Sequence, residues 1–510
     1  MIKSNGGIIG PDNVTTGGAF GSASGVFKLG EVTNLIKESK WPTAGPQGYQ
    51  SANSVRFNSA SSDYLNRTPS SASNRKTFTF SFWVKRTKLG DSQTIYNVRP
   101  GGDGANRLSF HVSDTFRIAI EPPNKHVYTT RVFRDVSAWY HIVVAFDTTQ
   151  GTASNRIKLY VNGVQETSLV KGDGGAASYP DQDSDLDINT TNVINIGRDL
   201  ETNSDFIGMY LSEFVFIDGQ QLAPTSFGET NSQTGIWVPK SVTGLTFGTN
   251  GFYLDFEDSS ALGNDANGSN NFAVNNLTSL DQSTDTCSTN FATLNPLFKQ
   301  DGTFSQGNLE YVVASTDFDS GLSTFGASNG KWYFETKITA QSSGTTRNAF
   351  GICDARDGNL FAEGEFGQNP SGRLGDSIGY AGNGSGNVLK NGSDQGSGFN
   401  TTYGTNDILS CAVDLDNGAV YYRKNDGSWL NSGNPESGAS KTGAITITTG
   451  ETYLFGNTSY GGASFQINFG SPPFAISSGN TDGNGFGNFE YAVPTGYLSL
   501  NTKNLAAVLG

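Results

Sequence analysis

Few residues in this chain have the types and spacing that chemistry requires. The three histidines, His111, His126 and His141, have no cysteine or second histidine at ligand spacing, so no zinc site is expected. No Gly-x-Ser-x-Gly elbow accompanies a histidine placed to act as its base, which leaves a serine hydrolase without support. Closely spaced carboxylates do occur, as hydrolysis of a glycosidic bond would need: Glu363 with Glu365, Asp255 with Glu257 and Asp258, and Asp414 with Asp416. Asp181, Asp183, Asp185 and Asp187 alternate in one acidic loop, a density of hard oxygen ligands that could hold Ca²⁺. The glycine and terminal glutamate of an EF-hand loop are missing there, so a solvated acidic loop is the competing reading. Asp199 and Asp205 form a second, weaker calcium candidate. Sugar binding needs exposed rings to stack on pyranose faces. Tyr380, Tyr403 and Trp429 are the candidates, with core or rim packing as their alternative.

The elements that must position these residues are strands. Phe78, Phe80, Phe82 and Val84 alternate with Thr79, Ser81, Trp83 and Lys85; Ile157, Leu159 and Val161 do the same before Asn162-Gly163, a type I′ hairpin signal. Farther on, Trp332, Phe334, Thr336 and Ile338 alternate with polar partners. Leu409, Cys411, Val413 and Leu415 then lead into a hairpin at Asn417-Gly418. Strands at this spacing with no helices between them read as β-sandwiches. Residues 226–305 are rich in Asn, Ser, Thr and Asp with scattered aromatics, which predicts a connector of one or two strands packed on its neighbours. Residues 1–25 have little to bury. One convincing helical stretch follows over 26–41, with Leu29, Val32, Leu35 and Ile36 on a single stripe and Pro42 ending it after Trp41. Such a stripe needs another surface to bury it.

Composition agrees with this reading. The 510 residues exceed the ~150 typical of one domain. Gly at 65 and aromatics at 12% suit many turns and strands rather than long helices. A net charge of −14 repels phosphates and anionic membranes, so neither nucleic acid nor membrane insertion is expected. No apolar run approaches the ~18 residues of a membrane helix. The start, Met-Ile-Lys-Ser-Asn-Gly-Gly, has no apolar signal core. Three cysteines, Cys287, Cys353 and Cys411, make neither a disulfide framework nor a metal spacing. Cys353 and Cys411 sit in apolar runs as inert core thiols, which fits synthesis in a reducing cytosol. The Gly-rich run 381–398 lacks the strand–helix context of a phosphate loop and reads as a long surface loop.

The first β region resembles the laminin-G/concanavalin A-like sandwich family. The resemblance rests on Phe-Thr-Phe-Ser-Phe-Trp-Val-Lys (78–85), Trp-Tyr-His-Ile-Val-Val-Ala-Phe-Asp (139–147), Ile-Lys-Leu-Tyr-Val-Asn-Gly (157–163), Ile-Asn-Ile-Gly (194–197) and Phe-Ile-Gly-Met-Tyr-Leu-Ser-Glu-Phe-Val-Phe (206–216). It implies a two-sheet jelly roll, a structural role for His141, and no single function. The carboxylates noted above do not fit the Glu-x-Asp-x-x-Glu pattern of glucanases on that fold. The second β region resembles a SPRY domain, through Gly-Lys-Trp-Tyr-Phe-Glu-Thr-Lys-Ile (330–338), Phe-Gly-Ile-Cys (350–353), Ile-Gly-Tyr (378–380), Leu-Ser-Cys-Ala-Val-Asp-Leu-Asp-Asn-Gly (409–418) and Val-Tyr-Tyr-Arg-Lys-Asn-Asp-Gly (420–427). That resemblance implies a partner-binding sandwich without a catalytic centre. The segments between and around them resemble those of tailed-bacteriophage virion proteins: Gly-Gly-Ile-Ile-Gly-Pro near the start, 248–265 with 270–277, Phe-Gly-Ser-Pro-Pro-Phe-Ala (469–475), and 494–505.

The expected fold is all-β: two antiparallel β-sandwich (jelly-roll) domains with a short N-terminal helical arm and an irregular connector. The expected boundaries are 1–45 (anchoring arm), 46–225 (laminin-G/concanavalin A-like sandwich), 226–305 (connector), 306–475 (SPRY-like sandwich) and 476–510 (tail). The resemblances imply a non-enzymatic phage virion protein, a tail or head fibre or decoration protein made in the bacterial cytoplasm. Leu29, Val32, Leu35, Ile36 and Trp41 would anchor it to other virion proteins in multiple copies, with host surface glycans as possible ligands. A polysaccharide-degrading tail enzyme and a purely architectural protein are the alternatives. No cofactor is expected beyond Ca²⁺ at Asp181, Asp183 and Asp185.

Overall fold

Alternating apolar residues fold here into four large antiparallel sheets, paired face to face. The computed structural model describes residues 8–10, 25–27, 48–99, 105–121, 124–172, 174–200, 203–232, 234–298, 302–314, 318–341, 349–356, 366–367, 374–381 and 386–509. In the first sandwich the strand Thr77–Arg86 lies between Trp139–Asp147 and Met209–Asp218, in the middle of an eight-stranded sheet. A second eight-stranded sheet, with Gln93–Val98, Asn106–Phe110, Thr115–Ile120 and Lys125–Val132 in succession, faces it. Phe78, Phe80, Phe82, Tyr96, Phe146 and Phe216 fill the space between. In the second sandwich Lys331–Ala340 lies between Ile408–Asp414 and Ser464–Asn468 in a seven-stranded sheet. A six-stranded sheet containing Ala349–Asp354 and Tyr453–Ser459 faces it. The fold is all-β, as the alternation predicts.

The two Asn-Gly turns differ. Asn162 and Gly163 both have positive φ, 48° and 79°, and join Val161 to Val164 as the type I′ turn requires. At Asn417-Gly418 a hairpin forms too, but four residues lie between the paired Asp414 and Ala419, and Gly418 alone of them has positive φ. The Asp414 carboxylate explains the longer loop, because it accepts from the Asn417 backbone N–H (2.9 Å) and Nδ2 (2.8 Å).

Antiparallel sheets often keep one face wet. Neither central sheet does. Thr79, Ser81, Trp83 and Lys85 point away from the first core, yet each is at most 3% exposed. The chain after Asp218 covers them, from Gln220 and Leu222 at Thr79 to Trp237 and Asp285 at Trp83 and Lys85. Phe252–Leu254 pairs with Met209–Asp218, Ala273–Asn275 with Tyr64–Arg67, and Gln282–Ser283 with Ser54–Phe57. Residues 226–305 thus contribute three strands to the first sandwich before Thr303–Ser305 joins the second. The C-terminal segment covers the second sandwich likewise: Phe489 and Tyr497 are buried against Tyr333 and Tyr421. It ends in the helix Thr502–Leu509.

Near the N-terminus, Ile8–Gly10 pairs with Gly25–Phe27. Val26 and Phe27 are therefore extended rather than the first turn of the expected helix, in keeping with the β preference of branched and aromatic side chains. Leu29, Val32, Leu35, Ile36 and Trp41, the expected anchoring residues, lie outside the described residues.

Candidate functional site

On the outer face of the first central sheet, the chemistry-bearing residues are locked into packing. His141 is stacked between Trp83 (4.7 Å between centroids, 16°) and Trp237 (6.0 Å, 22°). The Trp237 Nε1–H donates to His141 Nδ1 at 2.9 Å, so Nε2 carries the proton and donates to Ser81 Oγ at 2.8 Å. A serine nucleophile needs the opposite polarity, with an acceptor nitrogen facing its hydroxyl. Burial alone pushes the His141 pKa down to about 3, so the ring is neutral at ordinary pH. Trp237 fits because Gly163 and Gly228 leave room: a Cβ on either would lie 2.6 Å from its ring.

Beside this stack the two sandwiches are joined by polar side chains. Lys85, fully buried, places Nζ 2.7 Å from Asp285 Oδ2, 2.8 Å from Asn290 Oδ1 and 2.8 Å from the Phe291 carbonyl. Asp285 Oδ1 accepts from Trp139 Nε1 (3.1 Å) and the Phe291 N–H (3.2 Å). Arg56 donates to the Leu280 carbonyl at 2.7 Å and reaches the Pro472 carbonyl at 3.4 Å, while Tyr210 donates to the Gly307 carbonyl at 3.0 Å. Ser283 and Ser471 share a hydroxyl–hydroxyl bond of 2.7 Å.

This junction leaves an open cleft of about 810 Å³ between the sandwiches. The first sandwich supplies Phe206, Asp205, Asn203 and the Lys88–Asp91 ion pair of 2.5 Å; the second side supplies Leu297 and Phe304. Phe206 and Phe304 are half-buried and Leu297 is 63% exposed. Phe304 is backed by Tyr311 at 4.5 Å, and Phe206 by Tyr64 at 6.5 Å, with the Arg198 guanidinium 3.5 Å from the Tyr64 ring centre. Burial, and then the neighbouring Asp199, raise the Asp205 carboxyl above its ordinary range. Rings and ligand-sized space lined by amides and charges are what a polyol face needs.

The sugar-stacking candidates from sequence lie elsewhere. Tyr380 and Tyr403, sugar-stacking candidates with core packing as their alternative, are core residues 0% and 5% exposed. Their rings meet edge to face at 5.1 Å, and their hydroxyls are spent on the Thr401 and Tyr380 carbonyls. Tyr422 packs against Tyr380 as well, at 5.6 Å. Trp429 is half-buried against Tyr421, with Arg423 4.9 Å from its ring centre. The carboxylates of the acidic loop point to separate partners. Asp181 pairs with Lys125 (3.1 Å), Asp183 with Lys76 (4.0 Å) and Asp187 with Arg75 (3.1 Å), while Asp185 joins no cluster. Asp199 is held by Arg107 at 2.7 Å and Arg99 at 3.8 Å. Among the described residues no three His, Cys, Asp or Glu side chains converge. Glu363 and Glu365 lie outside them.

Sequence reading missed the cleft because Phe206 and Phe304 are about a hundred positions apart and neither sits in an alternating run. The available signal was an aromatic beside a polar residue on each side of the junction, Asp205-Phe206 and Thr303-Phe304.

Residues 59–220 match the family model described as the concanavalin A-like lectin/glucanases superfamily. No curated protein matches the chain by sequence. Among solved structures, the SPRY domain of human HERC1 is similar at 15% identity, over 34% of this chain and 96% of that one, with a TM-score of 0.26. Domains LG4-5 of the mouse laminin alpha1 chain are similar at 11% identity, over 84% and 93%, with a TM-score of 0.27. A protein from Bacteroides ovatus described as carbohydrate binding is similar at 16% identity, over 50% and 64%, with a TM-score of 0.31. The family match thus falls within the first sandwich, in keeping with its two facing antiparallel sheets.

Proposed function

We propose that this chain is a non-enzymatic structural and recognition protein of a bacteriophage particle, which holds host surface glycans in the cleft between its two sandwiches. The cleft carries the glycan part of this reading: half-buried Phe206 and Phe304 on opposite walls, with Asn203, Asp205, Lys88 and Asp91 between them. The lectin/glucanase description of the matched family agrees with it. The virion part rests on the sequence of the arm, connector and ending. In this reading the stripe Leu29, Val32, Leu35, Ile36 and Trp41 docks on a neighbouring virion protein, and multiple copies give avidity to weak sugar contacts.

A glycan array probed with the whole chain tests the first part, with Phe206→Ala and Phe304→Ala as controls. Each substitution removes about 1.5–3 kcal/mol of apolar burial, so binding weakens about tenfold or more. Unchanged binding in both variants would place the site elsewhere. Incorporation into particles tests the second part, since a chain starting at residue 46 should be lost from purified virions. A specific observation favours one rival: Asp205, with its carboxyl raised, and Asp91, paired to Lys88, line the same cleft, as an acid and a carboxylate would in a glycosidase. Release of reducing ends from host polysaccharide, abolished by Asp205→Asn, would replace binding with hydrolysis.

A further inference from the structure

The Lys85 site has more in it than an ion pair. Its ammonium-bearing chain comes from the centre of the first sandwich, and both Asp285 and Asn290 come from the segment leading to the second. Lys85 is 0% and Asp285 1% exposed, and Trp83, Trp139 and Tyr210 wall the site, with Tyr210 centred 5.7 Å from Nζ. The Asn290 amide is fixed at both ends: Oδ1 lies 2.8 Å from Lys85 Nζ, and Nδ2 donates to the Ser137 carbonyl at 2.6 Å. The amide carbon therefore stands one bond beyond an oxygen already in contact with the amine. Asp285 Oδ2, 2.7 Å from the same Nζ, is placed to take its proton. A dry aromatic pocket favours the neutral forms of both groups: burial drives the Lys85 pKa down and the Asp285 pKa up. An amine against a carboxamide oxygen, with a carboxyl group in contact with that amine, is the arrangement for amide exchange.

We propose that Lys85 and Asn290 join through an intramolecular amide bond, with Asp285 as the proton carrier. Asp285 removes a proton from the Lys85 ammonium, and the freed Nζ lone pair attacks Asn290 Cγ. The bond from Cγ to Nδ2 breaks as Nδ2 takes the proton held by Asp285 and leaves as ammonia, Asp285 takes the second proton that Nζ must lose, and a secondary amide remains between Nζ and Cγ. No oxidant, metal or cofactor enters. The product ties the strand Thr77–Arg86 covalently to the segment that leads into the second sandwich, a staple that a reducing cytosol does not open. None of this depends on the cleft binding a sugar.

Mass spectrometry of the denatured full chain decides the matter directly. The expected mass is that of the sequence less one ammonia. Trypsin should then yield residues 77–86, uncut after Lys85, joined to residues 241–299. Asn290→Ala should restore the full mass expected for that variant and separate the two peptides. An intact wild-type mass equal to the sequence, or an ammonia loss mapping to any pair other than Lys85 and Asn290, would overturn the proposal. Loss of water with Lys85 joined to Asp285 would overturn it equally, by reversing the roles of the two acceptors.

Discussion

The two sandwiches cover the outer face of their central sheet in the same way and with opposite electrostatics. In each, a ten-residue strand runs through the middle, Thr77–Arg86 in one and Lys331–Ala340 in the other, and a later stretch of chain lies over its outward side chains. Over the first sandwich the buried polar groups are a neutral imidazole, His141, and the Lys85–Asp285 pair. Over the second it is a carboxyl group, Glu335, which accepts from the backbone N–H groups of Glu490 and Tyr491 at 2.9 Å each and from the Tyr333 hydroxyl at 2.8 Å. On this face the connector reaches Lys85 through the side chains of Asp285 and Asn290, whereas two backbone N–H groups of the C-terminal segment converge on Glu335. A link through side chains is broken by one substitution; two N–H groups on one acid answer to its protonation.

The largest expected effect comes from Asp285→Ala, which leaves Lys85 buried without its carboxylate. Removing one partner of a buried pair costs about 3–5 kcal/mol, and denaturation of the whole chain should show it, with hydrogen exchange placing the loss in the first sandwich. Gly228→Ala comes next. Its Cβ would fall 2.6 Å from the Trp237 ring, and overpacking of this kind costs about 1–3 kcal/mol. Exposure of Trp237 should follow as a red shift in fluorescence, while the second sandwich keeps its protection.

Glu335→Gln tests the other side. It keeps the shape but weakens the charge-assisted part of the acceptance, an expected loss of about 1–2 kcal/mol at neutral pH, read as faster exchange in residues 489–501. The comparison is sharpest in its pH dependence, whose effect is small over any one pH unit. Glu335 is raised by burial to about 7 from an ordinary 4.5. Between those values the folded chain keeps a proton that the unfolded chain has released, so stability contributed by Glu335 falls as pH rises. His141 is lowered to about 3 from 6.5, so between those values the unfolded chain takes up a proton that the folded chain refuses. Its contribution falls as pH drops, by at most about 1.4 kcal/mol per pH unit. Exchange measured from pH 4.5 to 6.5 should thus show the two sandwiches responding in opposite directions, and a common direction would dissolve the contrast.

Much of this architecture is legible in the sequence because a period of two is set by geometry and survives without context. Phe78, Phe80 and Phe82 mark one face of a strand wherever that strand goes. What the period cannot say is whether the other face is wet. Trp83 and Lys85 look like the outward face of a half-exposed sheet, and only the packing of Trp237, Asp285 and Asn290, from far along the chain, reveals that it is dry. The same gap misplaces the sugar-stacking rings. Tyr380 sits in the strand Ser377–Ala381, and no local pattern tells which side of that strand is covered. The cleft itself depends on the angle between two sandwiches, which no local pattern encodes.

The join between the sandwiches is directional, and that has a mechanical consequence. Apolar surfaces can slide past one another at little cost, since their attraction has no preferred heading. Three acceptors around the Lys85 nitrogen, two carbonyls at the Arg56 guanidinium and the hydroxyl of Tyr210 each prescribe a bearing as well as a distance. The molecule should accordingly behave under load as one stiff lever rather than two beads on a hinge, and the gap between its walls should keep its width when the far end is pulled.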